Sequence, residues 1–298
     1  MATTLAKDNF AAAHISAMVP SYWSNLMQVP LRKSLVSEAV ANTQFEATLR
    51  KGDTVHFPYL SETEASEYTR NTEITASEAS ATDESLVVDK AYVVPNYVED
   101  FELLQANYSY QIDIADNAAY KLRDKIDQDV FARIIDAASG LYEASGITYG
   151  TQAAVTGGDA ITATSANIAE IFATARKALR KQNVEEAGDW CSVITPDVAM
   201  AIELYGTEKG FSVADATIRN GYAGDFLGFQ IYISNNLPDN YAYIGKKNMI
   251  HLIAQAPPQM QIKEIHNKLG RNMIASTLLG VKTFDRNSKR FLLAKITA

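Results

Sequence analysis

The chain has 298 residues, 47% of them hydrophobic and 21% charged, enough to bury a real core across two linked subdomains. Its formal net charge of -8 excludes a general nucleic-acid binder, whose surface carries a basic excess. It does not exclude a container for nucleic acid, because counterions neutralise enclosed phosphates.

The first eight residues, Met1 to Asp8, lack the apolar core of a signal peptide, and no apolar run approaches the roughly 20 residues that span a bilayer. The expected place of synthesis is the cytosol. Residues 1–49 read as an arm of short helical pieces broken by Pro20 and Pro30. Phe10, Ile15, Met18, Tyr22, Trp23 and Leu26 make it too apolar to stand in water, so it must dock on its own body or on a neighbour. From about Lys51 to Val94 runs an acidic ribbon. Its first arm, Asp53–Tyr59, alternates and places Val55, Phe57 and Tyr59 on one face. Its second, Leu86–Val94, has the β-branched and aromatic composition of a paired strand. Between them Ser61–Ser85 carries Glu62, Glu64, Glu67, Glu73, Glu78, Asp83 and Glu84 against Arg70 as the single basic residue. Two paired arms with a solvated tip predict a projecting hairpin that holds neighbouring subunits.

Glu102–Ser139 contains neither proline nor glycine, and Ile112, Ala115, Ala119, Leu122, Ile126, Val130 and Ile134 form one stripe. The pattern predicts a helix of roughly 55 Å, with Lys121, Arg123, Asp124, Lys125, Asp127, Asp129 and Arg133 on its polar face. The small-residue stretch Gly140–Thr164 reads as a loop at a subdomain boundary. A second helix starts near Asn167, which has capping-box spacing to Glu170, and ends in a basic turn at Arg180-Lys181. A buried strand, Cys191–Thr195, then a helix opened by Pro196 and a strand from Gly228 to Ser234 make a crossover. Tyr241–Gly245 with Met249–Ile253 reads as a further hairpin, and Met260–Ile265, Met273–Phe284 and Arg290–Ile296 as strands.

The inventory for catalysis is missing. His14, His56, His251 and His266 lie far apart and read as surface or interface histidines; none stands in a metal-ligand cluster. Cys191, the only cysteine, reads as a core thiol. There is no nucleophile elbow and no phosphate-binding loop, and the glycines of Gly221–Gly228 precede a strand instead of opening a helix. No catalytic residue, no cofactor and no metal are expected.

What remains is an order of parts. Lys51-Gly52-Asp53-Thr54-Val55 opens the hairpin, Leu86-Val87-Val88-Asp89-Lys90 returns from it, Val98–Gln105 leads into the long helix, and Gly224–Pro238 gives a strand and turn. This series resembles the major capsid proteins of tailed bacteriophages, the family with the Hong Kong 97-type fold. The resemblance implies an α+β Hong Kong 97-like fold: N-terminal arm 1–49, E-loop hairpin 50–94, spine helix and peripheral domain 95–164, axial domain 165–280, and C-terminal strands 281–298 returning to the peripheral domain. It further implies a virion protein that self-assembles as hexamers and pentamers into an icosahedral head shell. That shell encloses double-stranded DNA without sequence-specific binding or membrane contact, and is assembled in the host cytoplasm. Separate scaffold, portal and decoration proteins are the other expected partners. The expected subunit contacts are Glu67, Tyr68, Arg70 and Glu73 at the tip, Phe10, Tyr22 and Trp23 on the arm, and Arg219 and Asn220 near the ring axes. Two departures from relatives matter. No lysine lies between Gly52 and Asp89, so no isopeptide weld of that kind is expected, and with so short an N-terminal arm a separate scaffold is expected in place of a cleaved segment. An encapsulin-like cargo compartment shares the fold; a soluble hydrolase or ligand-binding protein with a hairpin lid is the reading from another class.

Overall fold

The computed structural model describes residues 32–33, 35–44, 52–60, 63, 65, 67–74, 78, 80–101, 110–185, 189–209, 224–238, 240–266 and 268–297. After a single helical turn, α1 (Ser37–Val40), the hairpin strands β1 (Thr54–Leu60) and β2 (Ala81–Val87) pair antiparallel from Thr54↔Val87 to Leu60↔Ala81. Val55, Phe57 and Tyr59 share the half-buried face, while His56, Pro58 and Leu60 face solvent. The return arm differs from expectation. Only its start belongs to the ribbon, whose pairing ends where the Val88 N–H donates to the Asp53 carbonyl. The remainder becomes β3 (Lys90–Glu99), which finds a longer partner elsewhere.

The long helix α2 covers Tyr110–Ala132, 23 residues or about 35 Å, and tightens into a 3-10 turn at Arg133–Asp136. It is shorter at its C-terminal end than the sequence pattern predicts, since Ser139 already lies in a strand. The stripe is also shifted. Ala118, Leu122, Val130 and Ile134 are buried and Ile112 is exposed, while Asp127 and Asp129, expected on the polar face, are buried. The helix is covered on more than one side, so its carboxylates needed partners rather than water. Asp129 pairs with Lys90 Nζ at 3.1 Å. Burial and a hydrogen bond to Asp129 push the Tyr92 hydroxyl up to about 12.

Gly140–Thr164 is not a loop. It forms β4 (Ser139–Glu143), β5 (Ile147–Thr151), a short helix α3 (Gln152–Gly157) and β6 (Ile161–Thr162). Its small residues serve close packing: a Cβ at Gly140 would lie 1.8 Å from the Leu293 carbonyl oxygen. Helix α4 (Ile168–Lys181) buries Ile168, Ile171, Phe172, Ala175 and Leu179 as its spacing predicts. The expected capping box is absent, because the Asn167 carboxamide is engaged by Thr164 N–H and the Thr162 carbonyl. Strand β7 (Trp190–Ile194), helix α5 (Pro196–Lys209), the short β8 (Asp225–Phe226) and β9 (Phe229–Ile233) follow, with β7 and β9 parallel across the crossover.

Strand β10 (Tyr241–Lys246) does not form a hairpin with the next strand, since both its edges are occupied, by β7 and by the last strand β13 (Phe291–Thr297). A turn at Asn248, with φ 63°, sends the chain away to β11 (Ile250–Glu264). That strand pairs with β12 (Gly270–Thr283), β12 pairs with β3, and a turn of helix, α6 (Asp285–Ser288), leads back to β13. The eight-stranded sheet therefore runs β5-β4-β13-β10-β7-β9-β8, with β6 on the end of β13, and the three-stranded sheet runs β11-β12-β3. Residues 250–283 join the sheet of β3, not that of 190–246, and the C-terminal strand joins β10 and β4.

The eight-stranded sheet has a core on each face, and strand periodicity sorts residues between them. Trp190 and Ile194, with Leu292, Ala294 and Ile296, pack under α4 and α5. Cys191 and Val193, with Phe291 and Leu293, pack toward Val130, Phe131 and Ile134 at the end of α2. Burial pushes the Cys191 thiol up to about 12, as an inert core group.

Candidate functional site: the hairpin, its root and its tip

The projecting hairpin is held by its root. Leu86 and Val88 enter a small cluster with Ile253 and Phe284, against which Val55 and Phe57 pack. The Phe57 and Phe284 rings lie 4.9 Å apart, and the His251 ring lies 4.5 Å from Phe284. Gly280 admits the hairpin backbone: a Cβ there would meet the Val87 carbonyl oxygen at 2.4 Å.

Around this apolar root stand side chains that grip the hairpin main chain. Lys282 Nζ donates to the Ser85 carbonyl at 2.7 Å, and Gln255 Nε2 to the Gly52 carbonyl at 2.9 Å. Arg286 donates to the Leu60 carbonyl and stands 4.3 Å above the Tyr59 ring. In return, the Glu84 carboxylate accepts the Asp285 N–H at 3.2 Å. The sequence reading missed this grip. Lys282, Asp285 and Arg286 are near neighbours in the chain, but nothing in their spacing points to a strand some 200 residues upstream.

His251, expected at the surface or an interface, is buried between Phe57 and Phe284, where its Nε2 meets the Asn287 amide at 2.9 Å. Burial pushes its pKa down to about 4, so it is neutral at physiological pH. His56 is exposed and makes a diagonal cross-strand pair with Asp83 at 2.6 Å. The exposed His266 stands near the far end of the long sheet.

The tip lies beyond the paired strands. Glu67, Tyr68, Arg70 and Glu73 fall together in one exposed segment that turns at Asn71, with φ 67° and Thr72 N–H donating to the Thr69 carbonyl. Ile74 beside them is also exposed. These side chains bury almost nothing within their own subunit. Phe10, Tyr22, Trp23, Arg219 and Asn220 lie outside the described residues. Lys33, at the described end of the arm, is fastened to the body: its N–H donates to the Tyr120 hydroxyl at 2.6 Å and its Nζ to Asn236 Oδ1 at 2.8 Å.

No curated protein matches the sequence. Solved structures do match in fold. One from Mycobacterium phage Che8 has a TM-score of 0.79 at 18% identity over 93% of this chain and 96% of that one. A capsid structure of cyanophage P-SCSP1u gives 0.73 at 16% identity, over 95% and 94%. The capsid of a native GTA particle gives 0.66 at 13% identity, over 99% and 100%. The architecture is thus the mixed α+β, Hong Kong 97-like capsid fold. The family model for phage capsid protein matches residues 102–281, well over half the chain and covering the long helix and most of both sheets. By that match, the chain belongs to the phage capsid protein family.

Proposed function

We propose that this chain is a major capsid protein whose copies, as hexamers and pentamers, close the icosahedral head shell of a tailed phage around double-stranded DNA. The observation that carries the reading is the family match over the helix and sheets, joined to a hairpin gripped at its root and solvated at its tip. A subunit with such an arm presents one surface to a different surface of its neighbour, and repeated heterologous contacts close rings and shells. In this reading β1–β2 is the E-loop, α2 with β3, β11 and β12 is the peripheral domain, and the eight-stranded sheet with α4 and α5 is the axial domain. Glu67, Tyr68, Arg70 and Glu73 lie on the adjacent subunit, Phe10, Tyr22 and Trp23 carry the arm contacts, and Arg219 and Asn220 face the ring axis. The work is mechanical, not catalytic. DNA is held without sequence readout, consistent with a net charge of -8. Assembly takes place in the host cytoplasm, with separate scaffold, portal and decoration proteins.

Negative-stain electron microscopy of the protein, expressed alone and beside the proteins encoded next to it, tests this. Closed shells or tubes are the expected result. A discrete monomer or dimer in both settings sinks the reading.

A further inference from the structure

We propose that the two outer edges of the eight-stranded sheet are complementary halves of one seam, each occupied in the assembly by the opposite edge of a second copy of this chain. The inference deepens the capsid reading and rests on it. Among the described residues, strands β8 and β5 end the sheet on opposite sides.

At the β8 edge the chain reverses through Leu227 and Gly228, with φ 49° and 84°. Two successive left-handed residues suit a tight hairpin turn, and asparagine or aspartate before glycine serves best there. This chain instead places a branched apolar side chain, 42% exposed. Beside it runs α5, which meets β8 through the edge-to-face pair Tyr205–Phe226, centroids 5.8 Å apart. Its outer side carries Met200 and Leu204, four residues apart and 61% and 46% exposed. Among the described residues, Leu227 is thus an exposed apolar side chain at the edge turn, while Met200 and Leu204 are exposed on the side of α5 opposite its buried residues Val198, Ala199, Ala201 and Ile202. Asp225, in the same edge strand, is exposed and has no side-chain partner among the described residues. The nearby cation is spoken for, since Arg176 Nη1 donates to the Leu227 carbonyl at 3.4 Å and its guanidinium stands 6.0 Å from the Trp190 ring.

The β5 edge is the converse. It borders a groove of about 420 Å3 walled by Tyr149, Gly150, Thr151, Gln182 and Lys289. Gln182 Nε2 donates to both the Tyr149 hydroxyl and Ser139 Oγ, which braces the wall. Lys289, and Lys181 next to Gln182, are exposed, with no side-chain partner among the described residues. Among the described residues, the exposed Leu227 and an unpartnered carboxylate therefore stand on one edge, and a groove with unpartnered ammonium groups on the other. Like edges would oppose like charges; unlike edges match, and the heterologous contact repeats around a ring.

The test uses the full chain with Leu227→Asn, which suits the turn, Lys289→Glu, Asp225→Lys, and the charge-swapped pair Asp225→Lys/Lys289→Glu. A Leu227→Cys/Tyr149→Cys variant reports contact directly, because the native Cys191 is buried and does not compete. Single variants are expected to keep the wild-type thermal transition but yield at least tenfold fewer particles, with the swapped pair restoring them. The cysteine pair is expected to give a ladder of disulfide-linked multiples on a non-reducing gel. Wild-type particle yields from Leu227→Asn and Lys289→Glu, with no ladder, would overturn the seam and leave the capsid reading standing. A wild-type chain that stays monomeric even beside its encoded neighbours would overturn both.

Discussion

Asp127 shows how much one side chain organises. Its Oδ1 accepts the Val36 and Ser37 N–H groups at 3.0 and 2.7 Å, and its Oδ2 accepts from Asn236 Nδ2 at 2.9 Å. The carboxylate of α2 thus caps α1, whose own N-cap residue, Val36, has no side chain to do so. The same contacts pin the end of the N-terminal arm to the turn before β10. Asp127→Ala leaves two buried N–H groups without an acceptor and should cost about 3 kcal/mol in denaturant unfolding, whereas alanine at the exposed Glu73 should be near neutral. His251 gives a pH dependence. Its pKa falls from 6.5 to about 4 on burial, so the folded root binds fewer protons than the unfolded chain. Its contribution is complete above pH 6.5, declines as pH falls from there to about 4, and is fully lost below. Lys282, Glu84, Asp285 and Arg286 stand around the same root. Thermal midpoints from pH 7 to 4 should drop less steeply for His251→Gln, which keeps an acceptor for Asn287; equal slopes refute the assignment.

At the scale of elements, the hairpin separates folding from assembly. Its root shares apolar cover and four main-chain grips with the body, while Glu67–Ile74 bury almost nothing in their own subunit. Deleting Arg70–Thr75, or reversing the charge as Arg70→Glu, should therefore leave the unfolding midpoint within a degree or two and abolish shell closure. Wild-type-like particles from both variants would show that the tip is not a contact. The same contrast marks what the sequence could reveal. Alternation fixed the faces of β1, the apolar stripe of α4 and the crossover from β7 to β9, since each is written in neighbouring residues. Pairing is a long-range property. Tyr241–Gly245 and Met249–Ile253 read as a hairpin, but two other strands had claimed both edges of β10. The glycines of Gly140–Thr164 looked like a loop because nothing local reveals that the Leu293 backbone presses against Gly140. Asp127 and Asp129 looked solvated because burial on a second side of α2 depends on segments far away in the chain. The exposure of the tip could be read from its run of charged residues; the cations gripping the root could not.

For the whole molecule, the question raised by the proposed shell is what would resist internal pressure once many copies enclose DNA. A covalent weld from the hairpin would need an amine there, and no lysine occurs between Gly52 and Asp89. Arg70 cannot replace it, because a guanidinium stays protonated and is a poor nucleophile. Disulfides between copies would have to use Cys191, which is buried inside each subunit. Shell strength must then come from non-covalent area, which scales with the number of contacts per subunit. Purified particles boiled in denaturing detergent without reductant should therefore run as a single band at the mass of one subunit. They should also dissociate in guanidinium with a midpoint that falls when Ile74 or Tyr68 becomes serine. A ladder of covalent multimers from wild-type particles would show that another side chain supplies the weld, and would direct attention to lysines outside the hairpin, beginning with Lys90 at its base.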